Sequence, residues 1–384
     1  MNSALDYLLS SENGGDVLTF LRSRGPRAHI IAPKRVRERV FSGIPAAPRH
    51  NAATWSEDAA DIVRQGREKA NFIVIAEDAG QERLIMESLS RKGGKVYGLF
   101  GHVVPALLCA ANGMSPGQPV AGLKRYAILC VPRSGSRYLA AVLSNRGVGT
   151  PKEHIREPLA HIIAEGKLGF EPGVAALEQF GQKNGIFGTK LISTFLIRAS
   201  RGRISNLRAN VSWMVERGYR LVRLDRPLSD TVISSYIAFQ MRRWHFFGQM
   251  DESTRARLDS LEFEDGAAWD EFVRFRAEKV IIDALSTWFD IPSVPYSEIE
   301  LRVDAVVSAI CSRIGVDPDS LKPGSAPVPI PTRSESPTYG IFAERLAGLL
   351  HRRAADVDPS TIRKLRAMGK LSQEEAEDLV GGDF

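Results

Sequence analysis

Cysteine is scarce in this chain: three thiols stand among 384 residues, far apart in the sequence. Cys109, Cys130 and Cys311 lie in apolar contexts, and none has a partner at the spacing of a metal site. The scarcity argues against a small fold held together by disulfides. It predicts buried thiols in a reducing compartment.

Long apolar runs are scarce as well. Residues 103–111, the longest apolar stretch near the N-terminus, are too few to span a bilayer. The N-terminal segment lacks the basic region and the long apolar core of a signal peptide. We therefore expect a cytoplasmic protein with no transmembrane segment.

A strong excess of one charge is also missing. The chain has 51 Lys and Arg side chains against 45 Asp and Glu, which gives a formal net charge of +6. This excess is small and evenly scattered, and no basic run is interleaved with aromatic residues, so nucleic acid is not expected as a partner. The mild positive charge suits an anionic ligand.

The segment around residues 126–145 predicts a strand, a short loop and a helix. An apolar run at 126–131 ends at Pro132, and a helical pattern begins near Tyr138. Backbone N–H groups at the start of such a helix are unpaired, and the helix dipole favours negative charge there. A junction of this kind is suited to binding phosphate.

The loop itself supplies groups that bind anions. Gly135 lets an anion approach the backbone closely, and Arg133 adds a planar positive charge. Ser134 and Ser136 add hydroxyl donors. With one glycine and no Gly-Lys pair, the loop does not match the nucleotide triphosphatase motif G-x-x-x-x-G-K-[ST]. The alternative is an ordinary turn whose serine caps the helix.

A second element predicts a second phosphate clamp. Residues 219–224 favour a strand, Arg226 stands at its end, and Pro227 suits the first turn of a helix. Asp230 and Ser234 follow Arg226 at +4 and +8, near one face of that helix. The alternative is a surface Arg–Asp pair at a helix start.

Taken together, P-R-S-G-S at 132–136 and R-x3-D-x3-S at 226–234 resemble the motifs of sulfotransferases that use 3′-phosphoadenosine 5′-phosphosulfate (PAPS). The closer resemblance is to bacterial carbohydrate sulfotransferases of the trehalose 2-sulfotransferase type. It extends over residues 122–316. Further matching positions are Gly147, Val148, Pro151, Glu153, Gly188, Lys190, Gln240 and Trp244.

The resemblance implies an α/β fold with a P-loop-like central parallel sheet flanked by helices, and a PAPS site without a metal. The loop from Arg133 to Ser136 and the helix amides after it would hold the 5′-phosphosulfate. Arg226 and Ser234 would hold the 3′-phosphate. Arg137 stands where the family usually has Thr, so it either binds phosphate by charge, points away or alters donor use.

The resemblance also implies a reaction: transfer of a sulfuryl group to a hydroxyl of a carbohydrate or glycolipid. Arg133 would stabilise the leaving phosphate oxygen, because charge builds up there. Glu153 would be the general base and Lys190 would support the transferred group or the acceptor. The alternatives to Glu153 as base are His154 and His161, and Glu153 itself could be an exposed helix cap.

Two other functions stay open on the sequence. A nucleotide-dependent kinase of P-loop fold would need a loop lysine and magnesium ligands. A non-catalytic binding module that keeps the sulfotransferase fold is favoured by Arg137.

The chain divides into three predicted parts. Residues 1–118 form a small Rossmann-like α/β domain of unknown role, with strands at 29–32, 71–76 and 95–100 and a helix at 81–91 that completes a parallel βαβ unit. Residues 122–320 form the sulfotransferase domain, including a helix over 260–289 interrupted near Gly266. Residues 321–384 form a Pro-rich linker and two accessory helices, with homo-oligomer contacts as one role.

Overall fold

A computed structural model describes residues 29–32, 34, 54–56, 71–76, 82, 85–86, 89, 95–98, 122–156, 159–164, 166, 169–241, 251–320, 337–369 and 371–381. The chain divides into two compact units, one formed by Met1–Gln118 and Arg156–Phe180, the other by Pro119–Ile155 and Gly181–Phe384. This division differs from the predicted one in two places. Residues 156–180 belong to the first unit, and the C-terminal helices belong to the second.

The first unit contains a four-stranded parallel sheet in the order β2-β1-β3-β4. Its strands are β1 (His29–Ile31), β2 (Thr54–Ser56), β3 (Asn71–Val74) and β4 (Lys95–Gly98). Between β3 and β4, the described residues at 82, 85, 86 and 89 are helical, within the range of the predicted helix. The predicted strands and the parallel βαβ unit are confirmed, whereas β2 was not predicted.

The second unit is built on a second parallel sheet, in the order β6-β5-β7-β8. Its strands are β5 (Lys124–Cys130), β6 (Ile186–Ile192), β7 (Tyr219–Asp225) and β8 (Ser293–Pro295). Every residue of β6 is buried, as expected for a parallel strand covered on both faces. The predicted α/β class, with strands before the loop at 132–136 and before Arg226, is confirmed.

Helices connect and cover these strands. They are α1 (Ser136–Asn145), α2 (Leu159–Ala164), α3 (Phe170–Gly181), α4 (Ser193–Ala199), α5 (Ile204–Glu216), α6 (Leu228–Gln240), α7 (Glu252–Asp259), α8 (Asp265–Trp288), α9 (Tyr296–Leu301), α10 (Val303–Ile314), α11 (Pro337–Arg352), α12 (Val357–Gly369) and α13 (Gln373–Gly381). No helix within the ranges given above is long and apolar enough to cross a membrane.

Two helix predictions were wrong in detail. α8 runs without interruption, because Gly266 lies in its first turn, where a glycine breaks no established helix. The described residues at 337–369 and 371–381 form three α-helices instead of the predicted two. Ser372 and Glu375 explain the extra start: the Ser372 hydroxyl accepts from the Glu375 N–H at 3.1 Å, and the Glu375 carboxylate accepts from the Ser372 N–H at 2.7 Å. This reciprocal pair is a capping box.

The core beside β5 explains one glycine of the sequence motifs. Gly188 lies opposite Tyr126 in the register of β5 and β6, and a methyl group on Gly188 would collide with the Tyr126 ring. The Tyr126 hydroxyl donates to the Val148 carbonyl at 2.8 Å, so the ring ties the sheet to the segment after α1. Gly188 is therefore required for packing beside β5.

The C-terminal helices pack against the second sheet's helices. Phe342 of α11 contacts Tyr236 of α6 and Phe263, with ring centroids 5.7 Å and 5.3 Å away. The Thr338 hydroxyl donates to Asp259 at 3.0 Å. The N-terminal turn of α11 is thereby held beside α6, the helix that carries Ser234.

Candidate functional site

The candidate site lies where four parallel strands end. β5 leads into the loop from Pro132 to Ser136, β6 carries Lys190 near its end, β7 leads into Arg226, and β8 leads into Tyr296. Parallel strands bring their carboxyl ends to one edge of a sheet, which is the usual place for a ligand in an α/β fold.

The loop after β5 has the backbone of a tight turn. Arg133 and Gly135 both have positive φ, at 69° and 85°. Gly135 precedes α1 in the left-handed conformation that glycine adopts readily. The N–H groups of Tyr138 and Leu139 donate to the Gly135 carbonyl at 3.0 and 3.2 Å and close the first helical turn. The amides before Tyr138 precede the hydrogen-bond ladder, in the position that favours an anion.

The loop hydroxyls face inward. Ser134 is fully buried and donates to the Val131 carbonyl at 2.9 Å. Burial raises the pKa of the Cys130 thiol, and hydrogen bonds from Ser134 and Ser136 partly oppose that rise. Neither serine provides a side-chain cap for α1. The two serines therefore hold the loop against the end of β5, and the backbone is the part of the loop that an anion would meet.

The two sequence motifs meet directly at Arg133. Its Nε and one terminal nitrogen donate to the Ser234 hydroxyl at 3.1 and 3.0 Å, across 101 residues of chain. Arg226 donates to the Arg133 carbonyl at 2.8 Å. The sequence predicted two separate clamps, but in the structure Arg133 joins Arg226 and Ser234 in one group. Sequence spacing carries no signal for this contact.

The charges around Arg133 are mostly positive. Loss of hydration, together with the charges of Arg226 and Arg137, lowers the pKa of the Arg133 guanidinium to about 10. Tyr339 and Tyr296 act in the opposite direction. Arg133 stays protonated at neutral pH, and an anion beside it would relieve the repulsion between the arginines.

On the other side of the loop, Lys190 and Glu153 form an ion pair. The Lys190 Nζ donates to a Glu153 carboxylate oxygen at 2.9 Å, and the two side chains are 7% and 31% exposed. The segment holding Glu153 is fixed to β6, because the Lys190 N–H donates to the Lys152 carbonyl at 2.8 Å. Beside the larger effect of burial, the Lys190 charge lowers and the Glu153 charge raises the pKa of the Cys130 thiol, at the end of β5.

Arg137 lies on the first turn of α1 with an exposed side chain. Loss of hydration lowers the pKa of the Arg137 guanidinium, and the Glu153 carboxylate opposes that shift. The residue therefore lies within electrostatic reach of Glu153 on one side and Arg133 on the other.

Of the two histidines that are alternatives to Glu153 as general base, the structure describes the side chain of His154. His154 is buried, its Nδ1 lies 3.1 Å from the Thr189 hydroxyl, and its ring packs 5.0 Å from Phe187. Thr189 and Lys190 are consecutive in β6 and point to opposite faces of the sheet, so His154 lies on the face away from the Lys190–Glu153 pair. The side chain of His161 lies outside the described residues.

Of the remaining motif positions, the structure describes Gln240 and Asp230 but not Trp244. Gln240 donates to the Tyr236 hydroxyl at 3.4 Å, toward α7 and α8, not toward Arg133. Asp230 is half-buried in the first turn of α6. Trp244 lies outside the described residues.

Comparison with known proteins adds no family to this geometry. Neither the protein-family models nor the curated proteins contain a match to this sequence. The interpretation of the site therefore depends on its residues. In the described part of the chain, no group of three or more His, Cys, Asp or Glu side chains could hold a metal ion.

Tyr296 is a residue of this site to which sequence reasoning assigned no role in it. The Arg226 Cζ lies 4.6 Å from the centroid of the Tyr296 ring. The same ring covers Gly135, because a methyl group on Gly135 would collide with it. Its position directly after a strand, like that of Arg226, could have indicated that Tyr296 lies at the same edge of the sheet.

A buried carboxylate supports the β6 side of the site. Glu278 on α8 is 1% exposed and accepts hydrogen bonds from the hydroxyls of Ser193 and Thr194, at the start of α4. Arg274 donates to it at 3.1 Å. Burial raises the pKa of the Glu278 carboxyl, and the Arg274 charge partly opposes the rise.

This network continues to the helix that holds Ser234. Arg274 also binds Glu271 through two nitrogens at 2.8 Å, and the Ser235 hydroxyl donates to Glu271 at 2.7 Å. Ser235 is the neighbour of Ser234 on α6. The segment after β6 and the middle of α6 are therefore connected through one polar cluster on α8.

Proposed function

We propose that this protein is a sulfotransferase that moves a sulfuryl group from PAPS to a hydroxyl of a carbohydrate or glycolipid. The observation that carries the proposal is the contact between the two motifs: Arg133 of P-R-S-G-S binds Ser234 of R-x3-D-x3-S, and Arg226 binds the Arg133 carbonyl. Each motif has residues suited to binding a phosphate group, and the two motifs meet at the carboxyl edge of the sheet. This arrangement supports a donor that carries two phosphate groups.

The donor would be divided between two groups of residues. Arg226, Ser234 and the Arg133 guanidinium would hold the 3′-phosphate, since charged donors bind phosphate oxygens strongly. The Nε of Arg226 is buried, and no described residue accepts a hydrogen bond from it. That buried donor fits a phosphate oxygen. The 5′-phosphosulfate would bind the amides at Gly135 and Ser136, with Arg137 and Lys190 supplying charge.

Glu153 and Lys190 would carry the chemistry. The acceptor hydroxyl oxygen attacks sulfur, its proton passes to the Glu153 carboxylate, and the bond from sulfur to the 5′-phosphate oxygen breaks with its electron pair on that oxygen. Such a loose, in-line transfer depends mainly on positioning and on stabilising the leaving oxygen. The 2.9 Å ion pair with Lys190 would orient the carboxylate, and the Lys190 ammonium would be a cation beside the reacting group.

The finer architecture follows from this proposal. β5, the loop and α1 would be a P-loop-like unit in the middle of a parallel sheet, and the first unit would be a Rossmann-like domain. We also propose a cytoplasmic location, where such a donor is available. The alternative is a nucleotide-dependent kinase of the same broad fold, and magnesium-dependent nucleotide binding or turnover would indicate it.

A non-catalytic binding module is favoured by one observation. The loop serines face inward. Arg137 is exposed at the position where the sulfotransferases usually have a threonine, whose hydroxyl would bind phosphate. The loop therefore keeps its shape but offers fewer side-chain donors to an anion. Donor binding without label transfer to any acceptor would support this alternative.

Calorimetry with 3′-phosphoadenosine 5′-phosphate (PAP), adenosine 5′-phosphate and ATP with magnesium tests the proposal. We expect PAP to bind at least tenfold more tightly than adenosine 5′-phosphate without metal, because charge-assisted hydrogen bonds contribute about 1.5–3 kcal/mol each. Preference for ATP with magnesium, or no nucleotide binding, would overturn it.

Arginine variants assign the binding to the site. Arg226→Ala and Arg133→Ala should each weaken PAP binding by about tenfold to a hundredfold. Arg208→Ala is the matched control, since Arg208 also stacks on an aromatic ring, 5.2 Å from Trp288, but lies on α5. Unchanged PAP affinity in both site variants would refute the assignment.

A further inference from the structure

Tyr296 reaches the site through the strand register. β8 pairs with β7 so that Pro295 lies opposite Asp225. The next residue of each chain segment leaves the sheet at the same edge, and these residues are Tyr296 and Arg226. The end of β8 therefore places the Tyr296 ring beside Arg226, which follows β7.

The ring makes two contacts at once. One is with the Arg226 guanidinium, whose Cζ lies 4.6 Å from the ring centroid. The other is with Gly135, whose missing side chain leaves the space that the ring occupies. Tyr296 is partly buried and also packs against the core cluster around β5.

The guanidinium is therefore held from two directions. The ring face attracts it as a cation–π partner, and the Arg133 carbonyl accepts one of its terminal N–H groups at 2.8 Å. A planar guanidinium held in this way keeps its remaining donors in a fixed orientation. A flexible arginine would have to lose side-chain freedom each time a ligand bound.

We infer that Tyr296 is a positioning residue that holds Arg226 for the 3′-phosphate, and that it thereby sets the selectivity of the site for 3′-phosphorylated nucleotides. This inference rests on the proposed function. It assigns to the ring a role that differs from support of the loop, because support of the loop through Gly135 would affect the 5′-phosphate as much as the 3′-phosphate.

Graded weakening of the ring's negative face tests the inference without changing its shape. Phenylalanine and then mono-, di- and trifluorophenylalanine at position 296 would be compared by calorimetry with PAP and with adenosine 5′-phosphate. We expect PAP affinity to fall stepwise, by about three- to tenfold over the series. Affinity for adenosine 5′-phosphate should change less than twofold.

A coupling experiment checks that Arg226 mediates the effect. Tyr296→Leu should reduce the preference for PAP in the wild-type background and should have no further effect on PAP in an Arg226→Ala background. Tyr296→Phe should keep the preference, since the ring remains. Thermal unfolding of each variant would show whether the fold is retained.

The outcomes separate the two proposals. If wild-type protein prefers PAP but fluorination lowers the affinity for both nucleotides equally, or for neither, the role of Tyr296 is wrong and the proposed function stands. If wild-type protein shows no preference for PAP, the proposed function fails, and this inference fails with it.

Discussion

The two sides of β5 differ in their charge balance. Toward β7, Arg133, Arg226 and Ser234 form a group in which loss of hydration, together with the positive charge of Arg226, lowers the pKa of Arg133. Toward β6, Lys190 and Glu153 form an ion pair whose charges compensate each other. The first group would gain from an added anion, whereas the second is already neutral. In the proposed function, the β7 side binds the 3′-phosphate of the donor, and the β6 side accepts the proton of the acceptor hydroxyl and supplies charge beside the 5′-phosphosulfate.

Among the changes that test this comparison, a change of Glu153 should have the largest effect. We expect Glu153→Gln to lower turnover by about 10²- to 10⁴-fold, because general-base assistance is lost. PAP affinity should change less than about threefold. Turnover would be measured as transfer of ³⁵S label from PAPS to trehalose and simple glycosides, with calorimetry for PAP. Equal losses in turnover and PAP affinity would show that Glu153 supports the structure and would remove the contrast between the sides.

The support beneath the β6 side should be sensitive to Glu278. Glu278→Ala leaves the hydroxyls of buried Ser193 and half-buried Thr194 without their acceptor, so we expect a loss of about 3 kcal/mol in the free energy of unfolding. Urea denaturation measures it. Glu216→Ala is the matched control, since Glu216 accepts from Ser212 at 2.8 Å on the exposed surface, and its loss should be below about 0.5 kcal/mol. Similar losses in both variants would refute the importance of burial.

Glu278 should also give stability a pH dependence. Its pKa is raised in the folded state, so the folded protein holds this proton more strongly than the unfolded chain does. The Glu278 contribution should therefore be greatest below the ordinary glutamate pKa and decrease as pH rises through the raised value. Glu278→Gln should remove that part of the slope in urea denaturation. A slope identical to that of the wild type would contradict the assigned direction.

The β7 side can be tested through Gly135. Gly135→Ala combines an unfavourable positive φ with a collision against Tyr296, whereas Gly218→Ala has a φ of 90° and open space around it. The φ effect costs about 1–2 kcal/mol in either variant, and the collision should add about 1–3 kcal/mol to Gly135→Ala alone. Urea denaturation of both variants gives the difference. Adding Tyr296→Leu to Gly135→Ala should restore part of it, and equal losses would disprove the contact.

The smallest expected effect concerns pH and Arg133. Its pKa is lowered to about 10, so the guanidinium keeps its charge through neutral pH and loses it only as pH rises past that value. PAP affinity should therefore be constant between pH 7 and 9 and should decrease above about pH 10. Calorimetry across this range measures it. A decrease between pH 7 and 8 would indicate a different titrating group on the binding side.

Local sequence patterns predicted much of the second unit. β5, β7 and the helices after them follow from apolar runs that end in turn residues, and the predicted positions agree with the structure to within a few residues. β6 was indicated only by the matching positions Gly188 and Lys190 of the family resemblance. The errors occurred where a local signal was misjudged. Gly266 was assigned to a break although it lies at a helix start, and the capping box at Ser372 was overlooked.

The sequence by itself determined which residues could bind phosphate and which strands would present them, because hydrogen-bonding groups and apolar periodicity are local properties. Only the tertiary structure decided how these groups combine. Strand order placed β5 between β6 and β7, which brought Arg133 to Ser234 and Glu153 to Lys190. The register of β8 placed Tyr296 against Arg226. Contacts of this kind depend on which strands pair, and no spacing along the chain encodes that pairing.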